Sequence, residues 1–351
     1  MPSSSGGQTE ASAVCLYLAP SGASTCRSQR ASRGGMRVFL TGATGALGRP
    51  TTRALVAAGH RVRGVARGPE KADIVRADGG EPIQVSLFDV RALRPALEGC
   101  EAVMHFATKI PPIGRITRRS GNETDRLRRD ASRCLVDAAL ATGVSTYVQE
   151  SIAFVYADGG DAWLDEEAPL HGSWLNESAL VAERETARFA MGGGRGVALR
   201  YGAFYAPYAR STVDSVRLAR RGLFPVLGTG TQFISSIHVD DAATAAVASL
   251  DAASGVYNVA DDEPLRFREY VEGLGAGVGV VPRLRAPAWL VRAALGEVSH
   301  IVLVSRRLSN QRFRAAAGWQ PRTSSARHGL PDVAREIAAN LSPGLSSSHA
   351  R

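Results

Sequence analysis

Residues 37–48 read RVFLTGATGALG, a short apolar run carried straight into three glycines at 42, 45 and 48. Such a run reads as a strand entering a tight turn, and the small residues beyond it open a helix. In that setting Gly42 permits the turn, Gly45 lets the backbone approach a pyrophosphate, and Gly48 lets helix and strand pack closely. The unsatisfied N–H groups at the helix start then face the phosphates. Gly42, Thr44, Gly45, Ala46, Leu47 and Gly48 are therefore expected to hold a dinucleotide. A merely tight turn is the plainer alternative.

The rest of the 351-residue chain continues the alternation that this turn begins. Strands are expected at 37–40, 61–66, 83–88, 102–107, 146–151 and 196–202, with helices over 46–60, 91–98, 124–142 and 178–191. Continuous apolar strands alternating with helices imply an α/β fold, a doubly wound parallel (Rossmann) sheet. Past Tyr205 the pattern loosens into a helix at 211–221, a strand at 232–238, a helix at 241–250 and a strand at 256–259. The expected organisation is a nucleotide-binding domain over 36–205, rejoined by 232–260, and a smaller substrate domain from 206–231 and 261–340. Residues 1–35, rich in Ser, Gly and Ala, are set apart as a disordered tail or as sequence preceding a true start at Met36, with a transit peptide as the third option.

The second strand ends in RVRGVARG, and that region offers Arg67 with no acid before Glu70. A carboxylate here would accept from the 2′-hydroxyl of NAD, whereas the guanidinium of Arg67 suits a 2′-phosphate. NADP is thus the expected cofactor and NAD the alternative.

Net charge is +9, but of the 42 basic residues only Lys71 and Lys109 are lysines, and the arginines are spread among carboxylates. That distribution speaks for a positive rim drawing anionic ligands rather than for nucleic-acid binding. No apolar run reaches the length of a membrane span. Cys15, Cys26, Cys100 and Cys134 form neither a CxxC pair nor a metal spacing. A cytoplasmic protein with reduced thiols and no metal is expected, acting on a small molecule.

Several further segments, taken in order, resemble the extended short-chain dehydrogenase/reductases, the NAD-dependent epimerase/dehydratase group. They are TGATGALG (41–48), LFDV (87–90), HFAT (105–108), YVQESIAFVY (147–156), LRYGAFYAP (199–207), SSIHVDDAA (235–243), GVYNVADDEP (255–264) and LSNQRFRAAAGWQPR (308–322). The resemblance implies that Asp89 and Val90 lie near the adenine. Phe106, Ala107 and Thr108 would line the cofactor after the fourth strand, and Tyr201 and Gly202 would approach the nicotinamide. It also implies a homodimer through a bundle of 124–142 and 178–191.

The same resemblance implies a Tyr and, four residues on, a Lys, with a Ser from the fifth strand. Aligned on SALVAE (178–183), the first two positions carry Leu175 and Ala179; counted back from Tyr156, the serine position carries Ile152; and no lysine follows Lys109. Ala203 and Ile234 stand where the group has an asparagine and a sugar-nucleotide arginine. The candidates to replace this machinery are Glu150, Ser151 and Tyr156, with Glu150 as an acid or base of raised pKa. Their plainer readings are a paired carboxylate and a packed tyrosine. His105 reads as a satisfied core histidine, and Trp163 and Trp174 as a lid. Three functions follow: an NADP-dependent oxidoreductase of a small, apolar carbonyl or alcohol; a non-redox NADP sensor or scaffold; and an isomerase or lyase using Glu150.

Overall fold

The computed structural model describes residues 35–109 and 116–341. The expectation for 1–35 falls, apart from Gly35, outside the described residues.

In chain order the first elements are β1 (Arg37–Thr41), α1 (Gly48–Ala57), β2 (Arg61–Val65), α2 (Pro69–Ala77), β3 (Glu81–Ile83), α3 (Val90–Leu97), β4 (Ala102–His105), α4 (Arg118–Arg126), α5 (Ser132–Ala141) and β5 (Thr146–Ile152). There follow β6 (Trp163–Leu164), α6 (Glu177–Met191), β7 (Arg195–Tyr201), β8 (Ala203–Tyr205), α7 (Arg210–Arg220), β9 (Val226–Leu227), β10 (Phe233–Ile234), β11 (Ser236–His238), α8 (Val239–Ala248) and β12 (Gly255–Val259). The chain continues through β13 (Leu265–Arg266), α9 (Phe267–Val278), β14 (Arg285–Ala286), α10 (Ala288–Leu295), α11 (Ser299–Leu303), β15 (Arg307–Leu308), α12 (Gln311–Ala317) and α13 (Ala326–Asn340).

Seven strands form one parallel sheet in the order β12-β7-β5-β4-β1-β2-β3. The order reverses between β1 and β4, and doubly wound sheets take ligands at the carboxyl edge of such a switch. Strand alternation divides the core. Val38, Leu40, Met104, Val148 and Leu199 pack with Leu55 of α1 and the alanines of α8. Phe39, Val103 and Tyr147 pack on the other face with Leu93 of α3, Leu135 of α5 and Phe189 of α6. A smaller cluster joins α7, α9 and α13 around Tyr205, Leu274 and Leu330. No helix among the described residues is long and apolar enough to cross a membrane.

Three expected elements differ. The strand at 83–88 is confined to Glu81–Ile83, because Val65, the partner of Ile83, is the last residue of β2 and leaves the rest of 84–88 without a neighbour. The strand at 232–238 breaks into β10 and β11, which pair with β13 and β8 respectively. The helix at 124–142 begins earlier, at Arg118, and is interrupted by a π turn over Leu127–Ala131.

Candidate functional site

β1 delivers the chain into the glycine turn at the switch point. Gly42 sits at φ 70°, a left-handed conformation, and a Cβ there would lie 2.5 Å from the carbonyl oxygen of Phe106. A Cβ on Gly48 would lie 2.0 Å from the carbonyl oxygen of Gly42. These two glycines therefore serve the protein's own packing. Gly45 differs: a Cβ there would meet only the Gly42 oxygen, at 3.2 Å, and Gly45 and Ala46 are exposed at the crest of the turn. Among the described residues nothing accepts from the N–H groups of Thr44, Ala46 or Leu47, and the Leu47 cap of α1 carries no side-chain bond. An open crest with free N–H groups beside a helix N-terminus fits a pyrophosphate.

The wall beside the turn is fixed by a relay from β1 to β4. His105 is buried and its Nε2 donates to the carbonyl of Leu127 (3.0 Å), so its Nδ1 accepts from the Thr41 hydroxyl (2.6 Å). Thr41 Oγ1 in turn accepts from the N–H groups of Phe106 and Ala107 (3.1 and 3.2 Å). Burial pushes His105 down to about 4, aided by Arg128, so the imidazole stays neutral and the relay keeps its direction. Phe106 is buried, while Ala107 and Thr108 are partly open.

Arg67 leaves the end of β2 with its side chain 84% exposed, and among the described residues it pairs with Glu123 at 3.7 Å. Lys109 reaches the same carboxylate at 2.6 Å, so two cations converge beside the crevice. Sequence reading named only the first; the scarcity of lysine was the available signal for the second. Asp89 caps α3, its Oδ1 accepting from the N–H groups of Arg91 and Ala92, and Val90 begins that helix, half-buried.

Tyr201 is placed differently. The Tyr201 ring is buried on the α8 side and its hydroxyl donates to the carbonyl of Ala242, so the side chain fills the core. Gly202 is a glycine because a Cβ would lie 2.7 Å from the carbonyl oxygen of Ser235.

The catalytic candidates are also placed differently. Glu150 and Arg128 are both buried, bonded through Nη2 at 3.2 and 3.4 Å to the two carboxylate oxygens. Burial raises the Glu150 pKa and Arg128 opposes the rise. Its carboxylate is thus committed to the π turn rather than free in a cleft. Ser151 points to the opposite face and donates to Glu183 Oε1 at 2.6 Å. Tyr156 is fully buried, donating to Asn258 Oδ1 (2.7 Å) and accepting from Arg200 Nη1 (2.8 Å). Burial pushes this phenol up to about 12 despite Arg200. Both hydroxyls belong to the packing of β5 and not to a surface that a substrate meets. Leu175 lies just before α6 and Ala179 within its first turn, Ala179 fully buried. The two tryptophans do not form one lid: Trp163 lies under Arg307, and Trp174 packs against Arg118 and Gly121 at the start of α4.

A 3-diazoavenalumate denitrifying reductase of Streptomyces sp is 36% identical over 309 residues, 84% of this chain and 99% of that protein. A 2-alkyl-3-oxoalkanoate reductase of Shewanella oneidensis is 26% identical over 283 residues, 74% of this chain and 70% of that protein. The fold matches the crystal structure of human epimerase family protein SDR39U1 with NADPH at a TM-score of 0.70 and 23% identity, covering 87% of this chain and 100% of that one. The family model matches residues 38–260, and the chain belongs to the NAD dependent epimerase/dehydratase family.

Proposed function

We propose that the chain is an NADPH-dependent reductase whose substrate accepts hydride without needing a protein acid to protonate an alkoxide, a diazo compound being the favoured class. The observation that carries this reading is the chemistry of the site: no lysine follows Lys109, and Tyr156, Ser151 and Glu150 are each buried and bonded elsewhere. Carbonyl reduction needs a proton at the developing alkoxide. In an ortho-diazo phenol the hydride becomes the new C–H bond, the C–N pair leaves with dinitrogen, and the residual charge rests on a phenolate that water protonates without help from the protein. The diazo reductase similar to this chain over nearly its whole length supports that class.

The glycine crest and the N–H groups of Ala46 and Leu47 would hold the pyrophosphate, and Arg67 with Lys109 the 2′-phosphate. Bound there, the nicotinamide would supply a hydride. The chain's own part is to fix the Phe106–Thr108 wall through the Thr41–His105 relay and to exclude water with its apolar core. Overall, the diazo group is replaced by hydrogen, NADPH becomes NADP+, water supplies one proton and dinitrogen leaves.

Incubation with NADPH and an ortho-diazo phenolic acid is expected to consume NADPH and release dinitrogen in equal amounts. Turnover of a small ketone and not of the diazo acid would instead favour the carbonyl reading, which the 3-oxoalkanoate reductase supports. Tight NADPH binding with neither activity would favour a sensor. Cofactor choice is tested separately: Arg67→Asp is expected to weaken NADPH by roughly tenfold to a hundredfold, the worth of one or two charge-assisted bonds, with NADH little changed. Equal effects on both nucleotides in a calorimetric titration would remove Arg67 from the 2′-phosphate.

A further inference from the structure

A cavity of about 220 Å³ lies behind the turn that leaves β5, outside the nucleotide crevice. Asp158, His171 and Ser173 line one wall; Arg292, Glu297 and His300, from the region of α10 and α11, line the other. The two imidazoles stack face to face, centroids 3.9 Å apart and planes inclined by 19°, so the walls meet there and each ring covers one face of the other.

Arg306 stands behind them, its side chain buried. Nε donates to the carbonyl of Tyr156, Nη1 to those of His300 and Ile301, and Nη2 to that of Phe154 and to His300 Nδ1 at 3.1 Å. All these acceptors are neutral, and among the described residues Arg306 makes no ion pair. Asp158, the acid nearest in influence, gives Oδ1 to the N–H groups of Gly160 and Ser305. A buried cation without a contacting anion is costly, and burial duly pushes Arg306 down to about 10.

Because His300 Nδ1 accepts from Arg306, its proton lies on Nε2. Burial, Arg306 and His171 hold this imidazole near 4, so it stays a neutral donor backed by a guanidinium. Ser173 Oγ accepts from the Leu175 N–H, which leaves its own proton to give. Arg292 and Glu297 are exposed at the rim, where solvent screens both.

We propose that this cavity binds the carboxylate of the substrate, its oxygens accepting from His300 Nε2–H and from the Ser173 hydroxyl. The inference rests on the reductase reading and names its substrate class. Arg306 and His171 also hold the main chain of Phe154, Val155 and Tyr156, which ties the anchor to the turn leaving β5.

The test titrates the full chain, in saturating NADP+, with cinnamate and with cinnamamide. Cinnamate is expected to bind roughly tenfold or more tightly, the difference a charge-assisted bond makes. His300→Phe keeps an aromatic ring stacked on His171, removes the donor, and is expected to bring cinnamate down to the amide level with NADPH affinity unchanged. Arg306→Met should act in the same direction, but Arg306 staples the turn, so the His300 variant carries the test. Equal binding of acid and amide, absence of binding by both included, overturns the site, as does a preference that survives His300→Phe. An acid preference without NADPH oxidation in any diazo assay leaves the site standing and removes the reductase. Turnover of a diazo acid and its amide with equal KM does the reverse.

Discussion

Gly45→Ala is expected to leave the thermal stability of the chain nearly unchanged while costing it most of its nucleotide affinity, whereas Gly48→Ala should lose both. The two glycines stand three residues apart in one turn and do different work. At Gly48 an added methyl would sit 2.0 Å from the Gly42 oxygen and 2.8 Å from Ala43 Cα, all backbone that the strand and helix hold in place. Relief requires moving the start of α1, at a cost of about 3 kcal/mol or more. At Gly45 the methyl would meet only one oxygen at 3.2 Å, so a shift of a few tenths of an ångström suffices. The methyl would, however, stand on the crest where a pyrophosphate must approach the free N–H groups. Loss of one or two such bonds weakens binding by roughly tenfold to a hundredfold. Chemical denaturation and calorimetric titration of both variants with NADPH separate the effects. Undiminished binding by Gly45→Ala would falsify the crest as the phosphate cradle. A Gly48→Ala variant of parental stability would mean that close packing is not what this glycine serves.

The contrast shows where sequence reading succeeds. The turn was legible because its information is local: a strand pattern, three glycines and a helix pattern lie within a dozen residues. The same holds for the alternation of Val38, Phe39 and Leu40 between the two cores. At β5 the reading reached the residue types but not their partners. Alternation alone sets Ser151 apart from Glu150, yet nothing nearby in sequence reveals that Glu183 takes the first and Arg128 the second. Arg128 depends on a π turn, which has no signature in the residue pattern. The family resemblance puts Tyr201 at the nicotinamide, whereas its side chain follows the strand's inner face into the α8 core. The cavity walled by His171 and His300 joins segments more than a hundred residues apart, which no spacing rule connects.

Removing the carboxylate of Glu183 is the change expected to destabilise the fold most. Glu183 receives Arg200 through two bonds, Nε to Oε1 at 2.9 Å and Nη2 to Oε2 at 2.7 Å, and the Ser151 hydroxyl besides. Arg200 passes its remaining N–H groups to Tyr156 and to the carbonyl of Glu166, and Tyr156 binds Asn258, whose N–H donates to Glu166 Oε1. The network joins β5, α6, β7 and β12 and is buried throughout. A buried pair adds little net stability over an apolar replacement, but half of one is expensive: Glu183→Leu should cost about 3–5 kcal/mol by leaving Arg200 uncompensated. Arg200→Met in that background should return most of the loss, since two apolar chains replace two desolvated charges. Urea denaturation of the singles and the double gives the coupling directly. Additive losses would mean that the pair acts as two independent anchors. Strong coupling would assign Glu183 and Arg200 to shaping the carboxyl end of β5, which sets the turn where Arg306 and His171 hold the cavity wall. On that view the double variant refolds yet binds cinnamate less tightly, because Tyr156 has lost one of the two partners that fix it.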